Sequence, residues 1–259
     1  MPTVTLLEKL YSSGSPETFM ETYSSICSGL KVQFSYAGTT SREWVQMEVF
    51  GEDETAAMSF LDREIGLAPI SLDKVSKFSN LRGKVVFSNK SQKELYVDLG
   101  VFSPKVCDAI IPAQVLRAQL ADGKETALQG LVELFCLFNY LPLEVKVIQD
   151  VEERRETLEA RLSESQLSLF NSWVGYRFDR LIILGSRFSD VKRAVKMSRL
   201  SRDIIRTDSL GTLEQVVLCK LGTDAVGLIP KLGRFLSDAV VLPFSPKKIL
   251  GAVNSSSFE

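Results

Sequence analysis

Three runs in the middle of the chain constrain its fold more than any other feature. Gly83-Lys84-Val85-Val86-Phe87 and Leu95-Tyr96-Val97-Asp98-Leu99-Gly100-Val101 are rich in β-branched and aromatic residues, and Asp108-Ala109-Ile110-Ile111-Pro112 follows them. The polar turn Ser88-Asn89-Lys90-Ser91-Gln92-Lys93 joins the first two. Short strands punctuated in this way predict a small twisted barrel. Helices are expected over 111–121 and 126–138, and Leu143–Ile148 closes the barrel.

The two ends of the chain share one order of elements. At the N-terminus a strand at Val4–Tyr11 precedes a helix opened by Ser15-Pro16, with Ser15 at the cap and Pro16 at the first helical position. A hairpin follows (Lys31–Tyr36, then Trp44–Phe50), then a helix over about Asp53–Ile65 stopped by Gly66. A last strand is expected near Asp73–Phe78. At the C-terminus, Arg180–Gly185, Ser189–Arg199, Asp203–Thr207, Leu213–Cys219, Thr223–Phe235 and Ala239–Phe244 repeat the order. Pro230 is expected to kink or split its helix. Both ends match the ferredoxin-like βαββαβ pattern. The fold class is therefore α+β, with two ferredoxin-like units flanking a small barrel. The expected organisation is an N-terminal unit over 1–80, the barrel with its helical insertion over 81–150, a charged helical connector over 151–175, and a basic C-terminal unit over 176–259.

Chemistry is narrowed mainly by what the composition lacks. The chain has no histidine, which removes Ser-His-Asp triads, Cys-His pairs and histidine metal ligands. Cys27, Cys107, Cys136 and Cys219 are scattered singly, as expected of unpaired structural thiols in a reducing compartment. No apolar run reaches the roughly 18 residues of a membrane span, and Met1–Leu7 has no signal-peptide character. A soluble cytoplasmic protein is the expectation. Glu52-Asp53-Glu54 could hold Mg²⁺, but acids just before a helix more commonly meet its dipole. Gly222-Thr223-Asp224 could cradle a phosphate or simply cap a helix. No catalytic residue, metal site or cofactor is assigned.

Charge is distributed unevenly. The net charge of −1 conceals a C-terminal stretch from Tyr176 with 14 Lys+Arg against 8 Asp+Glu. Within it, Val191, Ala194, Val195 and Ser198 share one helical face, and Lys192, Arg193, Lys196 and Arg199 the other. Arg187, Arg202 and Arg206 flank that helix. Such a run is either a solvated face or a phosphate-contacting surface with salt-dependent affinity.

The central wording, with its Val97-Asp98-Leu99-Gly100-Val101 stop and Ile-Ile-Pro strand, resembles the S1 subclass of the OB-fold over about forty residues. That resemblance implies single-stranded RNA handling through exposed aromatics in a cationic groove. Phe87, Tyr96 and Phe102 are the candidate aromatics, with Lys84, Lys90 and Lys105 nearby; each aromatic could instead be core. The histidine that often accompanies the S1 pattern is missing. Along its whole length, through phrases such as Gly51-Glu52-Asp53-Glu54, Leu116-Arg117-Ala118-Gln119-Leu120 and Lys220-Leu221-Gly222-Thr223-Asp224-Ala225, the chain also resembles an archaeal protein family of unknown function. That resemblance implies a cytoplasmic archaeal origin and transfers no activity.

The expected function is a non-catalytic RNA-binding protein of the translation or RNA-processing machinery, with RNA or a ribonucleoprotein such as the ribosome as partner. The expected contacts are Arg187, Lys192, Arg193, Lys196, Arg199, Arg202, Arg206, Lys84, Phe87 and Tyr96. The alternatives are a protein–protein scaffold and an RNA-modifying enzyme that uses the barrel to capture its substrate.

Overall fold

The computed structural model describes residues 3–11, 16–87, 93–149 and 156–255. The Ser15 cap, the turn at 88–92 with Lys90, the run Glu152–Arg155 and the tail from Ser256 lie outside them.

The N-terminal unit contains β1 (Thr3–Lys9), α1 (Pro16–Ile26), β2 (Val32–Thr39), β3 (Trp44–Gly51) and α2 (Glu54–Glu64). Its strands form an antiparallel sheet in the order β1-β3-β2. β3 sits centrally because Trp44, Val45, Met47 and Val49 are all fully buried. The expected fourth strand at Asp73–Phe78 does not form. Instead β4 (Ile70–Ser71) pairs in parallel with Val101 and Ser103 of the barrel, and Leu72–Lys74 is a 3₁₀ turn. Leu72 and Val75 are both buried and three residues apart, which is the period of that turn and not of a strand.

The barrel consists of β5 (Asn80–Val86), β6 (Glu94–Ser103), β7 (Cys107–Pro112), β8 (Pro142–Val147) and β9 (Thr157–Leu162), with α3 (Ala113–Leu120) and α4 (Leu128–Phe135) inserted after β7. The pairings β6–β5, β5–β8, β8–β9, β9–β7 and β7–β6 close the ring, so these five strands share no free edge. The predicted connector over 151–175 is thereby corrected. Leu158, Ala160 and Leu162 are buried at a spacing of two, so Thr157–Leu162 supplies the fifth barrel strand. Helix α5 (Glu164–Gly175) begins only after Ser163, whose Oγ accepts the Gln166 amide at 3.1 Å.

The C-terminal unit comprises β10 (Arg180–Leu184), α6 (Phe188–Met197), β11 (Ile204–Ser209), β12 (Glu214–Cys219), α7 (Ala225–Gly233), β13 (Val240–Phe244) and α8 (Pro246–Ser255). Its sheet is antiparallel throughout, in the order β11-β12-β10-β13. Pro230 was expected to kink or split this helix; α7 is not split and runs through it as one element. The proline leaves the Val226 carbonyl without a helical donor, and Val226 is 44% exposed, so water can serve it. α8 was not expected; its signal is Pro246, a proline at the first helical position.

Two cores lie on opposite faces of this sheet. Leu181, Ile183 and Val217 face α6 and α7, whereas Ile182, Leu184, Val216 and Phe244 join the core shared with the barrel and N-terminal unit. Phe135, Phe170, Trp173 and Phe244 make edge-to-face contacts with centroids 5.2 to 6.2 Å apart, fastening α4 and α5 to that second face.

Beside this shared apolar core, the units are also joined by buried ionic contacts. Lys84 of β5 is 2% exposed, and its Nζ donates to Glu8 Oε2 at 2.9 Å and to Glu214 Oε1 at 2.8 Å. Tyr11 Oη donates to the same Glu214 oxygen at 2.6 Å, and the Thr212 amide to Glu8 Oε1 at 2.8 Å. Alongside, Asp98 Oδ2 accepts from Lys9 Nζ at 2.7 Å and Trp44 Nε1 at 3.0 Å, while its Oδ1 accepts the Gly100 amide. Arg42 bridges Asp98 and Asp108. Burial alone would pull the Lys84 ammonium down, but Glu214 and Glu8 outweigh it and hold it above the ordinary lysine value. For Lys9 burial wins over Asp98, and its ammonium is lowered. Gly100 is required at φ +73°, where a Cβ would sit 2.7 Å from that of Ala68.

Two outcomes follow from this packing. Replacing Lys84 with Met strands two buried carboxylates against each other and should cost about 3–5 kcal/mol in urea unfolding. Lys31→Ala, whose pair with Glu52 is 75% exposed on both sides, should cost less than about 1 kcal/mol. All four cysteines are free and buried, and burial pushes the Cys107 and Cys219 thiols up to about 11 and Cys136 to about 12. A thiol reagent near neutral pH should therefore label the native protein slowly and the unfolded protein rapidly; a fast native phase would contradict the packing.

Candidate nucleic-acid interface

The basic helix forms where its spacing predicts. In α6 the residues Val191, Ala194 and Val195 are buried against the sheet, leaving Lys192, Arg193 and Lys196 exposed. Arg199 adopts the left-handed conformation that ends the helix (φ 58°), and its side chain and that of Arg202 are exposed beside it. α7 packs on the same face of the sheet and adds exposed Lys231 and Arg234, which sequence reasoning missed. Their signal is the i, i+3 spacing just after Pro230, which is legible only if the helix continues through the proline.

These cations are not equivalent. Arg187 donates to Asp190 at 2.8 Å and lies 3.6 Å from Glu21 of α1, so it is tied to the N-terminal unit. Asp190 also holds Arg193. Arg206 pairs with Asp208 at 2.9 Å on edge strand β11, on the sheet face away from α6. Lys192 lies over the Phe188 ring, 4.3 Å from its centroid. Lys196, Arg199 and Arg202, with Lys231 and Arg234, have no carboxylate partner among the described residues. They are the charges available to an outside anion.

The barrel candidates are elsewhere. Lys84 is corrected outright: it is buried in the ionic junction and can contact no nucleic acid. Phe87 is 43% exposed and lies 6.0 Å from Phe138, ring to ring. Tyr96 is half-buried on the outer face of β6, where its hydroxyl donates to Glu94 at 3.0 Å. Phe102 is half-buried, and Lys105 lies 3.6 Å from Glu156. The barrel and its helices pack against the sheet face opposite α6, so Phe87 and Tyr96 do not join the basic helices on one surface. Trp44 is fully buried and Trp173 is 8% exposed; neither offers a stacking platform.

The other candidates resolve simply. Asp224 caps α7, its Oδ1 accepting the Val226 amide at 3.1 Å. Asp53 precedes α2, and its Oδ2 accepts the Lys31 amide at 2.8 Å. No carboxylate or thiol cluster suited to a metal occurs among the described residues. No helix among them is long and apolar enough to cross a membrane.

Residues 178–242, which run from just before β10 into β13, match the DUF2110 C-terminal domain, a family of unknown function. That match spans a quarter of the chain and contains the whole basic helix. No curated protein matches. Among solved structures, the crystal structure of the intact alpha subunit of aIF2 from Pyrococcus abyssi aligns with 66% of this chain and 96% of its own, at 10% identity and a TM-score of 0.26. A likeness at that level carries no argument about fold or function.

Asp190 sets the availability of two of these arginines. Asp190→Asn should raise affinity for a polyanion such as heparin by about two- to fivefold, the worth of an exposed ion pair. It should lower stability by about 0.3–1 kcal/mol, because a first-turn acid is lost from α6. Heparin titration and urea unfolding of the same variant read the two signs.

Proposed function

We propose that this chain is a non-catalytic RNA-binding protein that holds the sugar–phosphate backbone on the outer helical face of its C-terminal unit. One observation carries the reading. Lys196, Arg199, Arg202, Lys231 and Arg234 are exposed on one helical layer with no carboxylate partner among the described residues, and Lys192 stands beside them. An ordinary solvated helix face intersperses both signs. Here the single acid of α6, Asp190, is turned toward Arg187 and Arg193 and neutralises none of the others.

The scaffold suits this role. The order β11-β12-β10-β13 with both helices on one face supports assigning the C-terminal unit to the ferredoxin-like class. In this assignment α6 and α7 are the binding layer, and the sheet rigidifies it from behind. The N-terminal sheet, whose fourth strand pairs with the barrel, is an incomplete relative of the same pattern. The five-stranded barrel, read as S1/OB-like, offers Phe87 and Tyr96 as a separate surface for single-strand contacts. The setting we favour is translation or RNA processing in the cytoplasm, with a ribonucleoprotein as partner.

Binding of this type is dominated by counterion release. Replacing Lys192, Arg193 and Lys196 together by Glu should weaken RNA binding across sequences and flatten the plot of log affinity against log salt by about 2, at roughly 0.7 per phosphate contact. Sedimentation from lysate with and without nuclease tests the setting: migration with ribosomal particles that collapses at high salt is expected. Unchanged RNA affinity in the triple variant would remove this face from the function.

A further inference from the structure

Among the described residues three cations are buried: Lys9, Lys84 and Arg180. Lys9 and Lys84 each meet carboxylates at 2.7 to 2.9 Å. Arg180 of β10 is 5% exposed and has no carboxylate within ion-pairing distance among the described residues. The two acids in its field are engaged elsewhere. Asp208 holds Arg206 at 2.9 Å, and Asp179 accepts from Ser245 Oγ at 3.0 Å and the Ala225 amide at 3.5 Å. Burial, and then the charge of Arg206, pull the Arg180 guanidinium down to about 10. A buried cation without a counter-ion is costly, so its retention requires a reason.

Part of the reason is structural. Arg180 Nη1 donates to the Trp173 carbonyl at 3.0 Å and the Phe178 carbonyl at 2.7 Å, closing the C-terminal end of α5. The guanidinium carbon lies 5.2 Å from the centre of the Trp173 ring. These contacts fix the plane of the group while engaging a single nitrogen. Nε and Nη2 have no partner among the described residues, yet neither is sealed from solvent as Tyr23 Oη and Glu214 Oε2 are. Those two nitrogens form the edge on which a guanidinium takes two oxygens of one carboxylate or phosphate.

Strand register supplies a second cation. Arg206, Leu218, Arg180 and Phe244 form one row across β11, β12, β10 and β13, on the sheet face turned toward the barrel. Arg206 and Arg180 are two strands apart, about 10 Å between Cα atoms, with the half-buried Leu218 between them. Arg206 gives only its Nε to Asp208, and its Nη nitrogens have no partner among the described residues. The exposed Tyr176 and Arg177 lie in the turn between the two carbonyls that Arg180 holds. We infer that this row binds a phosphate group, two of whose oxygens accept from Arg180 Nε and Nη2 while a third accepts from Arg206. A carboxylate spends both oxygens on the Arg180 fork, whereas a phosphate keeps one out of that plane for the second arginine. The site lies on the sheet face opposite α6 and α7 and stands whether or not that layer binds RNA.

The probe is inorganic phosphate added to the full chain, against potassium chloride at matched ionic strength. The Arg180 Nε–H resonance should shift saturably with phosphate and stay in place with chloride, and calorimetric titration should return the same affinity. Arg206→Gln, a change at an exposed side chain, should weaken that affinity about two- to fivefold. Arg180→Lys keeps the charge but loses the fork, and should weaken it about tenfold or more. Should the lysine variant fail to fold, the wild-type resonance and Arg206→Gln carry the test. Oligouridylates with and without a 5′-phosphate separate the sources. Competition by the phosphorylated form alone assigns a terminal phosphate, competition by both a backbone phosphate, and competition by neither a small free phosphate compound. No saturable shift, an equal shift with chloride, or unchanged affinity in both variants would overturn the proposal.

Discussion

A buried lysine held between two buried glutamates is the interaction on which this architecture depends. Taking Glu8, Lys84 and Glu214 out of water is expensive, and their mutual attraction repays it only when the geometry is tight and the remaining lone pairs are met. Lys84 reaches both carboxylates within 2.9 Å, Tyr11 donates to the same Glu214 oxygen, and the Thr212 amide supports Glu8, leaving Glu214 Oε2 as the one carboxylate oxygen of the pair without a partner among the described residues. The three charged residues come from the N-terminal sheet, the barrel and the C-terminal sheet in turn. An apolar contact would tolerate some sliding between these units. A charge with two fixed partners does not, so the junction sets their relative position as well as their association.

The same logic repeats at Asp98. Its carboxylate collects Lys9, Trp44 and Arg42 from the N-terminal unit while it sits in a barrel strand. Consecutive residues of β1, Glu8 and Lys9, therefore point into two different polar sites, both nearly fully buried. Strand pairing adds a third tie, since β4 extends the barrel sheet and not the N-terminal one. The expected boundary at residue 80 rests on the order of elements, and these contacts run across it.

Where local periodicity decides the structure, the residues revealed it. The buried triplet Val191, Ala194 and Val195 fixes the orientation of α6, and hydrophobic alternation locates most barrel strands. β9 was hidden because Glu159 and Arg161 suit a charged helix as well as an outward strand face; only the spacing of Leu158, Ala160 and Leu162 separates the two. The candidate interface was half legible. The exposed side of α6 followed from helical spacing, but the diversion of Arg187 and Arg193 by Asp190 depends on rotamers. Lys84 could not have been placed at all, because its partners lie 76 and 130 residues away along the chain. Long-range charge pairing leaves no local mark.

That separation has a consequence for synthesis. β1 is synthesised before the partners of its charged residues, and it carries the charges of Glu8 and Lys9 into a future interior. Lys84 and Asp98 arrive 76 and 89 residues after their partners, while the last contact of Glu8, the Thr212 amide, is 204 residues downstream. Until then the strand has no dry place to go, since burying a lone glutamate is prohibitive. The nascent N-terminal unit must keep that end hydrated and open, and the C-terminal sheet closes it last. The chain's polar junction thus acts as a timer, postponing commitment of β1 until Thr212 and Glu214 exist.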